Sequence, residues 1–191
     1  MSQLGLYNGV MRDTVGYLNS APPVDPTQVF YRSNLPRYPL DDVLESLATG
    51  VMTAVPLWLR AGDKVTNLSF LSGATAAATL THWWFALYSS AATPALLAQT
   101  ADQVAAAWAA DTWKTLALSA PVTIVSTGVY YAACMVAATT VPSLIGSRGA
   151  KALVTGEPVL GQTSGSALAA TATATLAAPA AARQLPLVVA T

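Results

Sequence analysis

After Gly50, apolar and polar positions alternate with a period of two through much of the chain, which predicts strands half buried in sheets. Residues 51–59 (VMTAVPLWL) form a β-rich run. Pro56 inside it demands an edge position or a bulge. A turn at Ala61-Gly62-Asp63 leads into 64–71 (KVTNLSFL), where Val65, Asn67, Ser69 and Leu71 alternate against Thr66, Leu68 and Phe70. The strongest strand is 79–88 (TLTHWWFALY). It points Leu80, His82, Trp84, Ala86 and Tyr88 one way and Thr81, Trp83, Phe85 and Leu87 the other. Both faces are large and apolar. In a two-sheet fold only one face enters the core, so at most one of Trp83 and Trp84 is expected there. The other face predicts a second covering, either a neighbouring subunit or a folded-back arm.

Further strands are expected at 96–100, 112–118, 121–125, 129–137 and 185–190, with a turn at Ser126-Thr127-Gly128. Residues 101–110 (ADQVAAAWAA) read as a helical turn or an irregular crossing. Residues 146–182 read as loop, rich in Gly and Pro, with a short strand at 171–176 (TATATL). About eight short strands separated by turn signals predict an all-β chain, an antiparallel β-sandwich of jelly-roll type over residues 48–191.

Residues 1–47 have a different texture. Pro22, Pro23, Pro26, Pro36 and Pro39 are interspersed with Tyr7, Tyr17, Phe30, Tyr31 and Tyr38. Proline at this spacing favours extended chain. The aromatics argue for a docking arm over a solvated linker. Only 40–48 (LDDVLESLA) has helical spacing, with Leu40, Val43, Leu44 and Leu47 on one face and Asp41 and Asp42 at its start. The expected organisation is a docking arm over 1–47 and a sandwich domain over 48–191.

Composition sharpens this picture. The chain has 191 residues, of which 9% are charged, with nine basic and nine acidic side chains. A typical soluble domain has about 25% charged residues. Eight of the eighteen charges lie in the first 47 residues (Arg12, Asp13, Asp25, Arg32, Arg37, Asp41, Asp42 and Glu45), so the remainder is nearly bare. A neutral chain excludes nucleic-acid binding through a basic face. High apolarity excludes the disordered class. Sparse charge leaves two explanations, a membrane or a surface covered by other chains. The long uncharged stretches, 65–101 and 115–147, are broken by Gly, Ser, Thr and Asn at strand-and-turn spacing. They are not flanked by basic clusters. The first twenty residues lack the basic-then-apolar order of a secretory signal. A covered surface is therefore expected, without membrane insertion.

Little in the sequence points to catalysis. One cysteine, Cys134, sits in an apolar strand and reads as a buried inert thiol. One histidine, His82, lacks a second ligand unless Asp102 or Asp111 converges on it. Asp102 and Asp111 flank the 101–110 crossing; they read as loop caps, with a Ca²⁺ pair or a glycosidase pair as the sharper alternatives. Trp83, Trp84, Trp108 and Trp113 read as core and subunit-interface residues, with sugar stacking as the alternative. No nucleophile elbow, phosphate loop, zincin or dinucleotide motif occurs. The expectation is a non-enzymatic chain with no cofactor, no metal and no catalytic residues.

The run from Thr81 to Tyr88 (THWWFALY), with Leu96 to Asp102, Ala106 to Ala110, Lys114 to Leu118 and Thr127 to Tyr131, resembles a β-sandwich domain of virion proteins from tailed phages of actinobacteria. The resemblance covers about residues 50–191 and leaves the N-terminal arm outside. It implies a structural virion protein of the minor-tail, tail-fibre or baseplate kind, located on the tail in preference to the capsid surface. It also implies a homo-oligomer, a trimer by family habit, that packs against other virion proteins and touches the host surface. Capsid decoration or a head fibre, and a carbohydrate-binding module that takes host cell-wall glycan, are the alternatives. The resemblance carries over no specific binding residue.

Overall fold

The computed structural model describes residues 4–7, 10–13, 32–35, 40–41, 47–148 and 161–191. These contain fourteen strands: β1 (Leu4–Tyr7), β2 (Val10–Asp13), β3 (Arg32–Ser33), β4 (Met52–Leu59), β5 (Lys64–Leu71), β6 (Ala78–Tyr88), β7 (Leu96–Gln99), β8 (Trp113–Thr123), β9 (Gly128–Thr140), β10 (Gly146–Arg148), β11 (Gln162–Ser164), β12 (Ala180–Ala181), β13 (Gln184–Pro186) and β14 (Val188–Ala190). All pairings are antiparallel. A six-stranded sheet runs β12-β11-β4-β9-β6-β7 and a four-stranded sheet β3-β14-β5-β8. The pairs β1-β2 and β10-β13 are separate two-stranded sheets. Among the described residues there is no helix.

The ladder is nested. β4 pairs with β9, β5 with β8 and β6 with β7, so first meets last, second meets next to last, and third meets third from last. Six strands therefore fold as one long hairpin whose tip is residues 89–95. The contact of β6 with β9 closes it. The turn at 60–63 and the turn at 124–127 meet at one end, where Gly62 N donates to Ile124 O at 2.8 Å and Ile124 N to Asp63 O at 2.8 Å. Gly62 has φ of 91°, which suits a residue without Cβ.

One hydrophobic core lies between the two large sheets. Val55, Leu57 and Leu59 of β4, Trp83, Phe85 and Leu87 of β6 and Ala132, Cys134 and Val136 of β9 meet Val65, Leu68 and Phe70 of β5 and Val188 and Ala190 of β14. On the central strand β9, the small Ala132 and Cys134 stand opposite Leu87 and Phe85. That matching of large with small side chains suits close packing of the layer. Four aromatics form its densest part. Trp83 lies 4.9 Å from Trp108 and 5.8 Å from Phe85, and Phe85 lies 4.6 Å from Phe70, centroid to centroid.

The opposite face of the six-stranded sheet corrects the sequence reading. Trp83 and Trp84 are both fully buried, in two different cores. On that face the chain's own segment 168–176 supplies a covering. The register explains why a segment fits there. Gln162, Ala54, Ala133, Ala86 and Gln99 lie in one row across five strands. Three alanines make a shallow trough, and the strap lies over it. Trp84 Nε1 donates to Ala169 O at 2.6 Å, and Tyr88 OH donates to Thr173 O at 2.9 Å. Gln99 holds the strap twice, donating to Ala170 O at 2.7 Å and accepting from Ala172 N at 2.7 Å. Ala172 and Leu176 supply its buried apolar contacts. The expected strand at 171–176 is this strap, with a single bridge between Thr175 and Ala95.

Smaller departures have local causes. A bulge between Leu80 and His82 turns Leu80 onto the Trp83 face, against the strict alternation expected for that strand. Pro121 lies inside one continuous strand, β8, instead of opening a separate one. β8 ends the four-stranded sheet, where a missing N–H is tolerated. Pro56 sits where β4 has lost its β11 neighbour, because β11 pairs only with Met52 to Ala54. That is the edge position its ring requires. The 101–110 stretch is an irregular crossing, and Val104 has φ of 44°. Of the expected helix at 40–48, Asp41 forms a β-bridge with Gly146, and residues 42–46 lie outside the described residues.

Candidate functional site

The N-terminal segment enters the fold through a buried charge. β3 is only two residues long and pairs at the edge of the four-stranded sheet, Arg32 with Ala190 and Ser33 with Val189. Beyond it Asn34 takes over the pairing with its side chain, donating from Nδ2 to Pro186 O at 2.8 Å and accepting at Oδ1 from Val188 N at 2.9 Å. Ser33 Oγ donates to Leu35 O at 2.6 Å, and Leu35 packs on the core. So few backbone bonds would hold an edge strand weakly. The side chain of Arg32 supplies the rest.

Arg32 forms a forked ion pair with Asp63, Nε to Oδ2 at 3.0 Å and Nη2 to Oδ1 at 2.8 Å, with both side chains fully buried. Asp63 stands at the end of the β4–β5 turn and also accepts from Arg60 N at 2.9 Å. Planar guanidinium and carboxylate match in two parallel bonds. Burial pulls Arg32 below its ordinary value, while the Asp63 carboxylate opposes that shift. Farther along, Asp41 and Gly146 exchange two backbone bonds at 2.8 and 3.0 Å, and Leu47 is buried in the core. Residues 32–35, 41 and 47 thus make contacts with the two-sheet body.

Of the aromatic residues expected to dock the arm, Tyr7 is in β1, paired with Val10. Tyr17, Phe30, Tyr31 and Tyr38 lie outside the described residues. Of the tryptophans expected at an interface or glycan site, Trp83, Trp84 and Trp108 are buried within the chain, so no partner or sugar reaches their rings. Their indole N–H groups are satisfied by Ala106 O, Ala169 O and Thr112 O. Trp113 is 46% exposed. Trp58, not singled out from the sequence, is 47% exposed. Its signal was present: Leu57 and Leu59 flank it as core residues, so a two-residue period points it outward.

Asp102 does converge on His82, with Nδ1 2.6 Å from Oδ2. Its other oxygen accepts from Trp83 N at 3.1 Å and Val104 N at 3.3 Å, so the carboxylate is committed to holding the crossing. Asp111 is elsewhere, in an exposed turn with φ of 49°, its N–H bonded to Gly73 O. Cys134 is fully buried, and desolvation pushes its thiol far up. The described residues contain no group of three or more His, Cys, Asp or Glu side chains able to hold a metal. Among them no helix is long and apolar enough to cross a membrane.

No protein-family model matches the chain, and no curated protein matches it.

Proposed function

We propose that this chain is a non-enzymatic structural component of a tailed-phage virion, of the minor-tail, tail-fibre or baseplate kind. In this reading residues 1–31 dock onto neighbouring virion proteins, and the two-sheet body is a jelly-roll β-sandwich presented as a homo-oligomer. The nested pairing β4–β9, β5–β8, β6–β7 supports the jelly-roll reading, because a jelly roll is a long hairpin wrapped on itself. The observation that carries the functional reading is the buried Arg32–Asp63 pair, which ties the N-terminal segment mechanically to the body. A segment that transmits load needs a fixed point, and a desolvated fork supplies one in a single register. Sparse charge and the half-exposed Trp58 and Trp113 support burial of surface against other chains.

The test is the protein content of purified particles, with antibody labelling to locate the chain. The expected result is a fixed copy number with label on the tail. Absence from washed particles overturns the proposal. Label on the head favours the decoration reading.

A further inference from the structure

A cleft of about 470 Å³ opens where the outer face of the six-stranded sheet runs out from under its strap. It lies between the 89–95 loop, the start of β9 and the β11–β12 edge. Four polar side chains line it: Gln162, Tyr131, Ser90 and Thr127. Their hydrogen-bonding capacity is largely unspent. Gln162 Oε1 is buried without any partner. The hydroxyls of Tyr131 and Ser90 have none among the described residues. Thr127 Oγ1 accepts from Ala61 N at 3.0 Å, which leaves its proton free to donate. A buried acceptor left unpaired costs about 1–3 kcal/mol in a folded chain; this one is closed to solvent, so it meets a ligand only when the Gln162 carboxamide turns into the cleft. Pro94 and Pro179 add apolar wall. No charged side chain among the described residues lines the cleft.

The geometry points to this cleft as a binding site for a neutral saccharide, one or two sugar rings in size. The volume lies within the range of small-molecule sites. Uncommitted donors and acceptors match ring hydroxyls, and the prolines match the C–H face of a pyranose. The absence of charge disfavours phosphates, nucleotides and carboxylates, which need a cation or a cluster of N–H donors. Rotating the Gln162 carboxamide presents either its acceptor or its donors to the sugar. The inference deepens the host-contact part of the proposed function and rests on it. It moves the glycan site from the buried tryptophans to the rim of the sheet.

The test is a titration of the isotopically labelled full chain with glucose, galactose, N-acetylglucosamine and lactose, followed by NMR. The expected result is saturable shifts at the Gly128 and Val129 amides and at the Gln162 side-chain amide. Tyr131→Phe and Gln162→Leu should each weaken binding about tenfold, the loss of one good hydrogen bond. Gln162→Leu should at the same time raise the melting temperature, since it removes an unpaired buried acceptor; a merely structural glutamine would not couple the two effects. No saturable shift with any of the four sugars overturns the site, as does unchanged affinity in both variants. Tighter binding of glucose 6-phosphate than of glucose overturns the neutral class. Both variants leave residues 1–31 intact and should enter particles normally, so a failed titration counts against this site, and absence from particles counts against the virion reading.

Discussion

Two segments clasp the same pair of sheets by opposite means. The N-terminal strand carries a buried charged fork, Arg32 on Asp63, beside the Asn34 side-chain bonds and a short backbone pairing. The C-terminal strap at 168–176 is held by neutral contacts spread over Trp84, Tyr88 and Gln99, above a trough of alanines. A buried ion pair is all or none: each partner alone is worse than neither. A distributed set of hydrogen bonds loses strength in steps. The N-terminal attachment should therefore be brittle and register-specific, and the strap should be graded and tolerant.

The sharpest way to break that contrast is at the fork. Asp63→Ala takes the carboxylate away from the buried Arg32 guanidinium and should destabilise the chain by about 3 kcal/mol in urea unfolding. The double variant Arg32→Met with Asp63→Leu should recover most of the loss. If the double variant is as unstable as the single one, the fork is not the source of the effect. On the strap, Gln99→Ala leaves Ala170 O and Ala172 N without their partner and should cost about 1–3 kcal/mol. Limited proteolysis should then cut first within 168–176. Tyr88→Phe removes one bond to Thr173 O and should cost about 1 kcal/mol.

Alkali should act on both buried sides of the six-stranded sheet, through Cys134 within and Tyr88 without. Burial raises both groups above their ordinary values, 9.0 for the thiol and 10.0 for the phenol, with the Thr173 hydrogen bond opposing the shift at Tyr88. The unfolded chain then releases protons that the folded chain keeps. Stability is full below the ordinary thiol value and falls as pH rises past it. Cys134→Ala should flatten the fall between pH 9.0 and 10.0. The smallest effect is expected at Trp113, half exposed and outside both clasps: Trp113→Ala should leave folding stability within about 0.5 kcal/mol.

Period-two patterning made the long strands legible, because β4 and β9 carry their core residues on alternate positions, and β5 and β6 do so apart from one bulge each, which puts Val65 and Leu80 on the core side. It pointed to a covering for both faces of β6 but not to the segment that supplies the second. Trp84 and Tyr88 called for a covering, and the strap's own sequence, alanine and threonine between Leu168 and Leu176, read only as a short strand in a loop. Its role is set by the Ala54-Ala133-Ala86 row, a cross-strand relation visible only once the register is known. Arg32 was equally hidden: one charge among eight in an N-terminal stretch, with its partner 31 residues on. The pairing of β1 with β2 went unread, although Asn8-Gly9 between two short runs is a two-residue turn signal. The cleft had no sequence signature, because Tyr131 and Gln162 belong to different strands on either side of β4.

The fork also dictates how the virion reading must be tested. Removing residues 1–45 would delete Arg32 and confound loss of docking with loss of folding. A chain that lacks residues 1–31 keeps Arg32, Ser33 and Asn34. Its melting temperature and its copy number in purified particles, measured beside the full chain, are the most direct test of the anchoring claim. An unchanged melting temperature with no incorporation is the predicted result. Incorporation at the level of the full chain would contradict it.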